Sequence, residues 1–176
     1  MRIVAGRWRG TPLLAPPGRA TRPTGDRTRE ALFSMLAARL GTFEGLVVLD
    51  LFAGTGALGL EALSRGAARC LFVEQDAAAL AALRANVAKL RAEPLAEVRP
   101  GSALRPPRGP FHLLLLDPPY RSGDGPRALA AADPAPGAWA SVETARDETV
   151  EPPPGWTRDA ERVHGKAKLS LLRYEG

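Results

Sequence analysis

Residues 46–59 read Leu46-Val-Val-Leu-Asp50-Leu-Phe-Ala-Gly54-Thr-Gly56-Ala-Leu-Gly59, and no other stretch constrains the fold as strongly. A short apolar run without polar alternation suits a strand buried on both faces, as in a parallel sheet. Glycines then turn the chain, and a helix is expected near Ala57–Ser64, ended by Gly66. Strand, glycine turn and helix in that order open a βαβ unit. The alternation continues. Cys70–Glu74 reads as a strand, Ala77–Arg91 as a helix free of internal glycine and proline, and Glu97–Arg99 as a short strand. Phe111–Asp117 is the clearest buried strand, stopped by Pro118-Pro119. A short helix is expected near Pro126–Ala132. Trp139–Glu143, Trp156–Val163 and Lys168–Arg173 read as late strands, with a tight connection at Pro152–Gly155. The pattern predicts an α/β fold, Rossmann-like, with a mostly parallel sheet covered by helices on both faces.

Upstream, residues 1–15 read as two short strands around Arg7-Trp8-Arg9-Gly10, a small hairpin ended by Pro16-Pro17-Gly18. Arg22-Pro23-Thr24 is expected to be extended, because a residue before proline is pushed away from helix. Thr24 or Asp26 then caps a helix through about Leu40, with Ala31, Leu32, Met35, Leu36 and Leu40 on one face and Gly41 at its end. The chain has 176 residues, which suits one compact core. No linker divides it, so residues 1–25 are a basic arm and residues 26–176 one domain.

The formal charge is +5. Arg2, Arg7, Arg9, Arg19, Arg22, Arg27 and Arg29 crowd the first thirty residues against only Asp26 and Glu30. Such an arm suits a polyanion such as nucleic acid, which makes Arg7, Arg9, Arg22 and Arg27 candidate contacts. No apolar run approaches the ~20 residues of a membrane span. The opening residues lack the apolar core of a signal peptide, so a cytoplasmic protein with no membrane partner is expected. Cys70 is the only cysteine, in an apolar stretch, and reads as a buried hydrophobe. One cysteine with His112 and His164 gives no metal-ligand spacing, so no metal is expected.

Gly54, Gly56 and Gly59 match G-x-G-x-x-G, and Glu74 follows about 20 residues after the first glycine. That is the fingerprint of a dinucleotide site. Asp50 argues against a dinucleotide, because a carboxylate beside the helix N-terminus repels a pyrophosphate. S-adenosylmethionine carries no phosphate. Its ammonium and sulfonium groups suit a carboxylate at this position, while Glu74 can hold ribose hydroxyls in either cofactor. Taken with the Asp117-Pro118-Pro119-Tyr120 motif, the loop favours S-adenosylmethionine, with a nicotinamide dinucleotide as the rival.

Asp117-Pro118-Pro119-Tyr120 follows the buried strand. Ligands of open α/β sheets bind outside the carboxyl ends of strands, so this turn and the glycine loop should face one crevice. An exocyclic amine on a base is a poor nucleophile, because its lone pair is delocalised into the ring. Asp117 can accept one N–H and the carbonyl of Pro118 the other, with the prolines fixing that carbonyl. The two acceptors aim the lone pair at an activated methyl group, and Tyr120 can stack on the base. Positioning then supplies much of the rate, with no strong general base required.

On these residues the chain resembles the RsmD-type methyltransferases, which methylate N2 of a guanine in 16S ribosomal RNA. The resemblance covers Met1–Gly10, Arg22–Phe33, Val48–Gly66, Phe72-Val-Glu74 and Asp117–Tyr120, with a weaker match over His164–Ser170 and at Arg173. It implies a class I S-adenosylmethionine-dependent methyltransferase fold, a seven-stranded sheet with an antiparallel last strand. The implied substrate is 16S ribosomal RNA or the small subunit, assembled or partly assembled. Asp50, Phe52, Gly54, Gly56, Glu74, Ser102 and Ala103 carry over as cofactor positions. Asp117, Pro118, Pro119 and Tyr120 carry over as the amine-binding turn, the arginine arm meets RNA, and Arg22-Pro-Thr24 closes over the methionine end of the cofactor. Ser102 departs from the pattern, standing where an acidic residue is expected to contact the adenine. The Ala/Pro-rich segment after Tyr120 is also compact, which shortens the base pocket.

Two other readings use the same scaffold. A DNA adenine N6-methyltransferase has the same amine chemistry but usually carries Asn at the position of Asp117, and needs a recognition region for which this chain has little room. A non-catalytic nucleic-acid-binding protein has no need of Asp50, Glu74 and the full Asp-Pro-Pro-Tyr turn together.

Overall fold

The computed structural model describes residues 1–16 and 25–176. Helix α1 (Gly25–Leu40) leads into β1 (Val47–Leu51), α2 (Ala57–Ser64), β2 (Arg69–Glu74), α3 (Ala77–Lys89) and β3 (Ala96–Pro100). Then come β4 (Phe111–Leu116), α4 (Asp124–Ala131), β5 (Pro134–Ala145), β6 (Trp156–His164) and β7 (Ala167–Tyr174). The strands form one seven-stranded sheet in the order β3-β2-β1-β4-β5-β7-β6. Strands β1 to β5 pair in parallel, and β7 runs antiparallel to both β5 and β6.

The apolar runs behave as doubly buried strands. In β4, Leu113 and Leu115 join the core under α1, α2 and α3, while Leu114 and Leu116 join the core under α4. Cys70 is fully buried in the first of these, packed as an apolar group. Gly59 explains how closely α2 lies on the sheet. A Cβ there would stand 2.3 Å from Phe72 Cε1 and 2.7 Å from Cys70 Sγ.

Three expectations are corrected. The N-terminal hairpin forms, with the Ile3 amide donating to the Thr11 carbonyl at 3.0 Å and the Gly10 amide to the Ile3 carbonyl at 2.8 Å, but its two strands shorten to one isolated bridge, Arg2 with Pro12. The physical reason is that Val4 and Ala5 donate their amides to the Glu61 carboxylate at 2.9 and 3.1 Å, rather than to a partner strand. Arg29, counted above among the arm's cations, is buried on α1 and donates to Glu61 at 3.2 Å and to Asp26 at 3.1 Å. Its guanidinium also bonds the Arg2 carbonyl. Glu61 is fully buried and takes Arg65 as a fourth donor at 3.0 Å. This hub fastens arm, α1 and α2 together, and removing one partner of such a buried network costs about 3–5 kcal/mol. Strand β5, lastly, begins five residues before Trp139. Its Pro-Ala-Pro-Gly opening reads as a turn in isolation, but Pro134 pairs with Phe111 across a register shift in β4.

The extended Arg22-Pro23-Thr24, the Thr24 cap and the Pro17-Gly18 stop lie outside the described residues, as does Arg22 itself. Among the described residues, no helix is long and apolar enough to cross a membrane, and no group of His, Cys, Asp and Glu is arranged to hold a metal ion.

Candidate active site

The parallel strands bring the carboxyl ends of β1, β2, β4 and β5 to one edge of the sheet. There a cavity of about 820 Å³ opens, lined by Phe52 and Gly54 after β1 and by Asp117 and Tyr120 after β4. The glycine loop and the Asp-Pro-Pro-Tyr turn, far apart in sequence, share this one crevice. Met1, Thr28 of α1, Glu143 of β5 and Lys166 of the β6–β7 turn complete the wall. His164 Nδ1 lies 3.0 Å from Thr28 Oγ1 and ties that turn to α1.

The backbone at the crevice is held in unusual conformations. Phe52 has φ 60° and Arg121, directly after Tyr120, has φ 61°. Non-glycine residues in this region are strained and persist where the surroundings hold them, often at functional sites. Gly54 has φ +57°, and nothing stands within 4 Å of the place a Cβ would take, so the loop offers bare backbone to the crevice. Gly56 differs. Its φ is +86° and a Cβ would meet Leu83 Cδ1 at 2.4 Å, so it serves packing at the start of α2.

Glu74 clamps this loop. Oε1 accepts the Gly54 amide at 2.8 Å, and Oε2 accepts the amides of Gln75 at 2.9 Å and Asp76 at 2.8 Å. Each carboxylate oxygen has further acceptor capacity, so the group stays half-buried and able to take a hydroxyl. Asp50 lies deeper. Its Oδ2 accepts the Gly59 amide at 2.9 Å, while Oδ1 is buried with no partner among the described residues. Burial pushes its carboxyl well above the usual carboxylate range, and the charges of Asp117 and Glu74 push it further. Burial thus favours the proton-bearing form of Asp50, which sits behind the loop rather than on the cavity wall, where Asp117 and Glu143 face Arg29 and Lys166.

Asp117 is exposed at the cavity wall, Pro118 is buried and Tyr120 is half-buried. Pro119 does not compete as an acceptor, because its carbonyl takes both the amide and the hydroxyl of Ser122, at 3.3 and 2.7 Å. The cavity wall includes neither Ser102 nor Ala103. Ser102 follows β3, where its hydroxyl accepts the Leu104 amide at 3.1 Å, and Ala103 is buried.

Among the described residues of the arm, Arg29 lines the crevice while Arg7 and Arg9 lie away from it. The Arg7 amide donates to the Ser64 carbonyl at 2.9 Å and the Trp8 amide to Ser64 Oγ at 3.1 Å, so this turn docks at the far end of α2. An eight-residue helix is about 12 Å long, which separates Arg7 and Arg9 from the glycine loop. Both are exposed, with Arg7 stacked over Trp8 at 5.4 Å. Arg27 is exposed on the first turn of α1, beside Thr28 at the cavity. Sequence reasoning missed Thr28, Glu143 and Lys166. The only available signal was for Glu143, which ends the stretch read as the strand Trp139–Glu143 and so falls where α/β ligands bind.

Comparison with known proteins agrees with the fold. The family model described as Conserved hypothetical protein 95 matches residues 1–173. The Escherichia coli K12 protein named Ribosomal RNA small subunit methyltransferase D is 42% identical over 125 residues, 70% of this chain and 62% of that protein. Its namesake in Haemophilus influenzae is 36% identical over 183 residues, 98% of this chain and 93% of that protein. The solved structure of E. coli yhhF superposes with a TM-score of 0.86 at 36% identity, covering 99% of this chain and 98% of that one. The fold is the Rossmann-like class I methyltransferase fold, with β7 as the reversed last strand.

Proposed function

The chain belongs to the conserved hypothetical protein 95, or RsmD, family, and from that premise we propose that it transfers a methyl group from S-adenosylmethionine to N2 of a guanine in small-subunit ribosomal RNA. The observation that carries the reading is the shared crevice: Phe52 and Gly54 line the same cavity as Asp117 and Tyr120.

The residues present fit the cofactor. Gly54 leaves open space at its backbone, Glu74 has acceptor capacity for ribose hydroxyls, and Asp117 and Glu143 put carboxylates on the cavity wall for a ligand with cationic groups. Phe52 and Gly56 shape the loop around it, and Ser102 and Ala103, which lie off the cavity wall, are not assigned a contact. When bound, the cofactor supplies an activated methyl group. The chain's own task is positioning. Asp117 accepts one hydrogen of the amine and the Pro118 carbonyl the other. This turns the nitrogen lone pair toward the loop side, and Tyr120 stacks on the ring. Asp117 is also placed to take the proton that the amine gives up. The ribosomal substrate follows the names of the relatives and the exposed Arg7, Arg9 and Arg27, with Arg22 as a further proposed contact.

The test is incubation with labelled S-adenosylmethionine and unmodified small subunits, their stripped RNA, or duplex DNA, followed by nucleoside identification. Label in N2-methylguanosine is expected. Label in N6-methyladenine of DNA, or tight binding of a nicotinamide dinucleotide with none of S-adenosylhomocysteine, would overturn the proposal.

A further inference from the structure

Glu143 is not part of the Asp-Pro-Pro-Tyr turn, yet the fold sets it beside that turn. Strands β4 and β5 pair in parallel with Leu116 opposite Val142, so the next residues, Asp117 and Glu143, stand side by side at the carboxyl edge. Adjacent strands lie about 4.8 Å apart. Both side chains line the one cavity, and Glu143 is half-buried. Alternation along β5 supports this orientation: Ala140 and Val142 face the α4 side, whereas Ser141 and Glu143 face the cavity.

Order along the sheet edge gives Glu143 its place. The neighbours run β1, β4, β5. The glycine loop after β1, on which the methyl donor sits, flanks the Asp117 turn on one side. The ring that carries the amine must therefore lie on the other side, over β5, where Glu143 stands. We infer that Glu143 reads the N1–H side of the target amine, rather than its bare N3 side, and so selects guanine over adenine and cytosine. Guanine presents N1–H beside its N2 amine, a donor that an ionised carboxylate accepts. Adenine presents the bare N1 beside N6, and cytosine the bare N3 beside N4. Those lone pairs meet an acceptor-only group with no donor. A site built for a hydrogen bond rejects partners that lack it far more strongly than a site that measures shape alone.

The inference rests on the guanine reading above, and the experiment separates the two. Wild type, Glu143→Gln and Glu143→Ala are compared on unmodified small subunits with labelled S-adenosylmethionine. Turnover, nucleoside identity and affinity for S-adenosylhomocysteine are measured on each. Glu143→Ala should lower kcat/KM about 100-fold, mostly in kcat, with the affinity for S-adenosylhomocysteine unchanged. Glu143→Gln keeps an oxygen that accepts N1–H and adds an N–H for a bare ring nitrogen, so it should recover part of the rate on guanine and raise the share of label in adenosine. Variants with wild-type rate and an unaltered nucleoside profile would overturn the role of Glu143 alone, as would a rate loss matched by an equal loss of S-adenosylhomocysteine affinity. A wild type that labels no guanine N2 would overturn the substrate reading, and this inference with it.

Discussion

Asp50 and Asp117 occupy comparable places on neighbouring parallel strands and have opposite fates. Leu51 pairs with Leu116, so Asp117 lies two positions beyond Asp50 along the strand direction and on the same face of the sheet. Two strand residues span about 6.6 Å. Within that distance the environment changes from interior to cavity wall. Asp50 is 1% exposed and holds the Gly59 amide, and burial raises its carboxyl well above the usual range. Asp117 is exposed. The same residue type therefore braces the loop at one depth and lines the cavity at the other.

The comparison breaks first at Asp117. Asp117→Ala should lower methyl transfer about 10²–10³-fold, the effect of removing one positioned polar group. Its S-adenosylhomocysteine affinity and denaturation midpoint should stay near wild type, since exposed substitutions usually cost under about 0.5 kcal/mol. Near-normal turnover would remove Asp117 from the chemistry. The helix that Asp50 braces is tested next. Gly59→Ala puts a Cβ against Phe72 and should destabilise the fold by about 1–3 kcal/mol in urea titration. An unchanged midpoint would mean α2 is free to shift.

Asp50→Asn sharpens the contrast through pH. Because the folded-state carboxyl is raised, the folded chain holds that proton more tightly than the unfolded chain. Its contribution to stability is complete below the unfolded value of about 3.9. It declines as pH rises from there through the raised folded value, at most by about 1.4 kcal/mol per pH unit. Asparagine should abolish that decline while its side-chain oxygen keeps the Gly59 bond. Urea titrations across pH 3–8 decide it, and parallel profiles for the two proteins would show that Asp50 does not titrate on folding. Gly54→Ala should have the smallest effect on stability, about 1 kcal/mol from its left-handed φ, because the space for a Cβ is open. A loss larger than that of Gly59→Ala would reverse the assignment of which glycine packs and which faces the ligand.

Much of the fold and half of the site are legible in the residues alone. The apolar runs at 47–51 and 111–116 announce buried strands because no long polar stretch interrupts them, and α2 spans the expected Ala57–Ser64. The glycine loop and the Asp-Pro-Pro-Tyr turn are visible as motifs because their chemistry is local. What stays hidden depends on distant partners. Glu61 reads as one more helix glutamate, yet it gathers the amides of Val4 and Ala5 with Arg29 and Arg65. The arginine arm reads as one cationic surface. The docking of Arg7 and Trp8 at Ser64 and the burial of Arg29 divide it.

Local sequence is enough to set the α/β alternation, the loop that turns after the first strand, and the Asp-Pro-Pro-Tyr turn. Periodicity, glycine and proline act over a few residues and need no distant partner. Three features emerge only in the folded chain: which of two aspartates is buried, the helix length between the arm's turn and the crevice, and the place of Glu143 beside Asp117. They arise from strand order and register, which bring together residues separated by tens of positions, and no local propensity encodes them.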